Sequence, residues 1–86
     1  MLEQLHEKID VLAKYNRIGG TVTIYKLKWQ NRPYNISKQA YVYKRRDGRN
    51  INHVFHVSNA NLHFKILFNT ETLTWWLEEV SDGNTN

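Results

Sequence analysis

The stretch MLEQLHEKIDVLAKY, residues 1–15, decides whether this fold contains a helix. Leu2, Leu5, Ile9 and Leu12 recur at spacings of three, four and three, one apolar stripe at helical period. Ala13 follows Ile9 by four and widens that stripe, while Val11 lies off it. Ala, Leu, Lys and Glu suit a helix, and NRIGG at 16–20 supplies its stop, with Gly19 or Gly20 free to take positive φ. The spacing predicts a helix over residues 2–17. Such a helix is marginal alone in water, so its stripe must be covered, by the sheet of its own domain or alternatively by a second copy or a partner.

From Thr21 the period changes to two, and strand-forming residues dominate. Five strands are expected, at 21–29, 34–45, 50–58, 62–69 and 73–80, joined by QNRP, RDGR, SNAN and NTET. Two-residue loops centred on Asp47–Gly48, Asn59–Ala60 and Thr70–Glu71 set the register. Val42 then faces His53, Phe55 faces Phe64, His53 faces Ile66, and Ile66 faces Trp75. One face collects Tyr34, Ile36, Ala40, Val42, Phe55, Val57, Leu62, Phe64, Ile66, Phe68, Trp75 and Leu77, and a one-residue slip at any turn would break it. In the first hairpin Leu27 and Trp29 share this face, but Val22 and Ile24 have the wrong parity. A bulge near Tyr25–Lys26 brings all four inward. The expected class is α+β: an N-terminal helix packed on a five-stranded, strongly twisted antiparallel meander that can curl into a small open barrel. Residues 1–82 form one domain, with helix 2–17 and sheet 21–80, and 83–86 read as a disordered tail.

Composition narrows the function. Eighty-six residues sit near the lower limit for an unaided core, and with no cysteine there is neither a disulfide nor a thiolate zinc site. Residues 1–15 carry charges throughout without the apolar run of a signal peptide, and no stretch is long and apolar enough for a transmembrane helix. A cytoplasmic domain without a membrane partner is expected. Residues 26–65 hold nine Lys and Arg against Asp47 alone, while the only charges from 66 onward are Glu71, Glu78, Glu79 and Asp82. This dipole favours polyanions or acidic protein surfaces.

The opposite sheet face is expected in rows: Gln39, His56, His63, Glu78; then Tyr41, Val54, Lys65, Trp76; then Tyr43, Asn52, Leu67, Thr74. In HVFHVSNANLHF, residues 53–64, His53 points inward and His56 meets His63. His56, His63 and Glu78 form a ligand set used by several divalent metals. The competing reading is a surface histidine pair whose charge Glu78 offsets, and no cofactor is called for. Tyr41, Tyr43, Lys65 and Trp76, with Lys44, Arg45, Arg46 and Arg49 at a hairpin tip, make an aromatic and basic face. It suits a protein partner or self-association. Alternatively it suits single-stranded nucleic acid, rings stacking on bases and cations meeting phosphates. Catalysis lacks support. There is no Gly-rich phosphate loop or nucleophile elbow, and Glu78 and Glu79, as sequence neighbours on a strand, should face apart.

WQNRPYNI at 29–36 and TLTWWLEEVSD at 72–82 resemble the two ends of a family of small bacterial domains of unknown function. Trp29, Arg32, Tyr34 and Ile36 match its first motif; Thr72, Trp75, Leu77, Glu78 and Val80 match its second. The resemblance covers roughly residues 22–82 and implies an accessory role in DNA repair, because the family's genes often lie near those for error-prone DNA synthesis. The chain departs from it with Asn31 and Leu73, where the family tends to place glycine.

Overall fold

The computed structural model describes residues 2–82; the expected tail at 83–86 lies outside them. Among the described residues there are eight strands and no helix: β1 (Leu2–Lys8), β2 (Asp10–Asn16), β3 (Thr21–Trp29), β4 (Arg32–Asn35), β5 (Lys38–Asp47), β6 (Asn50–Ser58), β7 (Leu62–Asn69) and β8 (Thr74–Asp82). The fold is all-β. The N-terminal helix and the α+β class are therefore corrected.

The reason is backbone satisfaction. A meander starting at residue 21 would leave β3 and β8 each with an unpaired edge. The first segment covers both, β1 pairing with β8 and β2 with β3, all antiparallel. Period two and period 3.6 share Leu5 and Ile9. They differ over Val11, which packs on the core, and Leu12, which is 59% exposed. Helix propensity is a weak preference beside two ladders of hydrogen bonds.

The strands make a five-stranded sheet, β1-β8-β7-β6-β5, and a three-stranded sheet, β2-β3-β4. The chain passes between them twice. At Ile9, which donates its N–H to the Trp75 carbonyl, β1 runs on into β2. At Ile36–Ser37 the chain leaves β4 for β5, Ile36 donating to Tyr25 O and Ser37 to Ser58 O. Two bent strands thus close the sheets around one core of Ile9, Ile24, Leu27, Phe55, Val57, Phe64, Ile66, Leu77 and Val80. The parity break in β3 is resolved at Tyr25, which is left over where Lys26 pairs with Leu12 and Ile24 with Ala13. Ile24 and Leu27 are then buried, and Val22 and Trp29 pack against them.

Next to each of the other turns the expected parity is kept but the register moves by two, and bulges in β5 and β8 shift it again farther from the turn. Asp47 pairs with Asn50, so the loop is Gly48–Arg49 with positive φ at Gly48. That is the pattern of a type II′ turn and spares Asp47 a positive φ. Asn59 and Asn69 act as turn initiators. The Asn59 side-chain oxygen Oδ1 accepts the N–H groups of Asn61 and Leu62, and Asn69 Oδ1 accepts those of Glu71 and Thr72. Val42 consequently faces Phe55, Phe55 faces Ile66, Ile66 faces Leu77, and His53 lies between Lys44 and Phe68.

A bulge at Ala40, between the pairs Gln39–Val57 and Tyr41–His56, turns Gln39 toward the other sheet, away from its expected row. There its amide accepts the Ile24 N–H at 3.0 Å and donates to the Val22 carbonyl at 2.9 Å. The side chain takes the place of a strand where β4 no longer accompanies β3.

Candidate functional site

The registers compose the outer face of the five-stranded sheet from different rows than expected. One is Tyr43, Val54, Leu67, Trp76 and Lys8; the next is Tyr41, His56, Lys65 and Glu79. A third begins with Arg45, Asn52, Asn69 and Thr74. His63 pairs with Ser58 and Ser81, so His56 meets Lys65 rather than His63.

Glu78 is placed by a bulge. Lys65 pairs with Glu79 and Ile66 with Leu77, leaving Glu78 extra, while β1 also shifts register opposite it. The expectation that Glu78 and Glu79 face apart is thereby overturned, since Lys65 Nζ lies 3.1 Å from one and 3.5 Å from the other. Arg45 crosses from β5 and forks onto Glu78 with two 2.8 Å hydrogen bonds, while its Nε donates to Asp47. The Arg45 hydrogen bonds, outweighing desolvation, hold the Glu78 carboxyl down at about 2. Hydrogen bonds from Asn52 and then Arg45 hold Asp47 below its ordinary value. Both carboxylates are ionised at neutral pH, so neither is a general acid there.

The rings are engaged as well. His6 stacks flat on Trp76 at 4.1 Å and 7°, and Lys8 Nζ stands 5.6 Å from the same ring. Tyr43 stacks on His56 and Tyr41 meets it edge-on. The Tyr43 hydroxyl lies 3.3 Å from His56 Nε2. Burial, and secondarily the Lys65 charge, holds His56 below its ordinary value. Beneath this layer Val54 and Leu67 are buried on the face expected to be open.

Of the sequence-derived surface, Tyr41, Tyr43, Lys65, Trp76 and Arg45 therefore come together on one face, with Arg45 paired to Glu78 and Asp47 and Lys65 to Glu78 and Glu79. Lys44 and Arg46 point to the other side of β5, opposite His53 and Ile51, and Arg49 sits in the turn. These three make no ion pair among the described residues. β5 itself is an edge strand, its backbone ladder shared with β6 alone, and its consecutive Tyr41, Val42 and Tyr43 are 65%, 50% and 43% exposed. Among the described residues no group of three His, Cys, Asp or Glu could hold a metal ion, and no helix is long and apolar enough to cross a membrane.

Sequence reading missed Asp47, Asn69 and His6. The signal for Asn69 was its place before a turn; nothing local marks the bulge that aims Glu78. No protein-family profile, curated protein or solved structure matches the chain.

Proposed function

We propose that this protein is a non-enzymatic binding module that takes an extended, acidic segment of a protein partner as an added strand along β5. The observation that carries this reading is the edge itself: β5 shares its backbone ladder with one neighbour, and its three exposed apolar side chains are consecutive. Backbone groups of such an edge supply affinity, and alternate side chains supply specificity. Tyr41 and Tyr43 would contact the segment on one face, and Lys44 and Arg46 its carboxylates on the other. Single-stranded nucleic acid is the alternative occupant for the aromatic and basic face. That alternative is the weaker one, because the cations standing among the rings, Lys65 and Arg45, are already committed to Glu78. An accessory role in DNA repair, as the family resemblance implies, is compatible with a partner in that machinery.

The test is titration of the ¹⁵N-labelled protein with a peptide alternating Glu and Val, and with its Lys–Val counterpart. The acidic peptide should shift and protect the Tyr41–Arg46 amides, and Lys44→Glu with Arg46→Glu should weaken it by roughly tenfold. No response at millimolar acidic peptide, or equal binding of the basic one, would refute the reading. Concentration-dependent dimerisation through the same amides would assign the edge to a second copy instead.

A further inference from the structure

Between the Arg45 fork and the turn after β7 lies a cleft of about 350 Å³, with walls that include Asn52, Asn69, His6 and Trp76. Asn52 and Asn69 pair directly across β6 and β7 and are only 7% and 8% exposed. Each has its amide orientation fixed by its partners. Asn52 Nδ2 donates to Asp47 Oδ2 at 2.6 Å, which leaves Oδ1 as an acceptor. Asn69 Oδ1 accepts two backbone N–H groups at 2.9 and 3.0 Å, which leaves Nδ2 as a donor. Neither remaining atom has a protein hydrogen bond among the described residues, and neither is sealed from solvent. Buried polar groups ordinarily find partners, so an acceptor and a donor left side by side in a cleft mark a place where something polar can bind.

We propose that this cleft binds a planar heterocycle carrying a hydrogen-bond donor next to an acceptor, the edge that nucleobases present. The donor would meet Asn52 Oδ1 and the acceptor Asn69 Nδ2. The flat His6–Trp76 stack supplies the aromatic wall on which such a ring packs. Arg45 and Asp47 of β5 line this cleft, but the proposal does not rest on strand addition along β5. The same edge chemistry comes from two sources, a free nucleotide or an unpaired base in a strand.

The experiment is an NMR titration of the intact protein with each of the four nucleoside monophosphates, and separately with a short single-stranded oligonucleotide. Expected are shifts of the Asn52 and Asn69 side-chain NH₂ groups and of the Trp76 indole. Asn69→Asp retains the oxygen that organises the turn but replaces the donor with an acceptor. It should lower affinity by about tenfold or more, since a buried hydrogen bond becomes a repulsion. Response to monophosphates assigns a free nucleotide, and response to the oligonucleotide alone assigns a strand. Silence toward both, or binding that Asn69→Asp leaves unchanged while its own spectrum stays folded, would overturn the proposal.

Discussion

Arg45 and Glu78 hold each other through two parallel hydrogen bonds of 2.8 Å, with β6 and β7 between the strands that carry them. Arg45 and Glu78 share the wall of one cleft with the buried Leu67, so the pair stands beside apolar surface.

Glu78→Gln should therefore cost about 1–2 kcal/mol, because Arg45 and Lys65 lose their shared anion in a half-buried place. Chemical denaturation at pH 7 measures this. An unchanged midpoint would mean that solvent replaces the fork without loss.

Acid should destabilise the fold in two stages. His56 is held below its ordinary 6.5, so the folded state resists the proton and stability falls as pH drops through the usual histidine range. Glu78 is held at about 2 against an ordinary 4.5, so its contribution is complete above 4.5 and lost as pH falls toward 2. Thermal melting from pH 8 to 2 should show both limbs. Glu78→Gln should shrink the lower limb, leaving the part that Asp47 contributes, and should not weaken the upper, because the Glu78 charge favours protonated His56.

Leu73 has φ of +57° and is 72% exposed. A leucine there bears strain that glycine does not, and its side chain gains little from burial. Leu73→Gly should stabilise the protein by about 0.5–1 kcal/mol, read as a raised denaturation midpoint.

Gln39→Ala should leave the Ile24 N–H and Val22 carbonyl without their partner and cost about 1–3 kcal/mol. Hydrogen exchange at Ile24 should accelerate more than at Leu77, which sits in the middle of the sheet.

The first segment also separates helix from strand by mutation. Ile9→Ala should cost about 2–4 kcal/mol, whereas Leu12→Ala, on the solvent side, should stay within about 0.5 kcal/mol. In a helix using the 2-5-9-12 stripe the two would be comparable.

Three turns show what was legible in the sequence and what was not. Alternation told inside from outside for Phe55, Val57, Phe64 and Ile66, and the parity break in β3 pointed to the bulge at Tyr25. The neighbours across strands were off by two at each turn. Asp47, Asn59 and Asn69 remain as the last residues before their turns, and nothing in alternation says where a loop begins. A shift of two preserves faces while changing every partner, which moved His56 from His63 to Lys65. The N-terminal segment was misread for a different reason. Its fate depends on open edges at β3 and β8, and those are properties of the assembled sheet rather than of fifteen residues.

The pairing of β1 with β8 also imposes an order in time. Leu2 finds its partner in Ser81 and Lys8 in Trp76, so β1 has to wait for β8, the described strand farthest from it in sequence. Closing so long a loop carries its entropy cost before any ladder bond repays it. Refolding should accordingly be slow for so small a chain, on the order of milliseconds to seconds, with β1 the last strand to gain protection in pulsed hydrogen exchange.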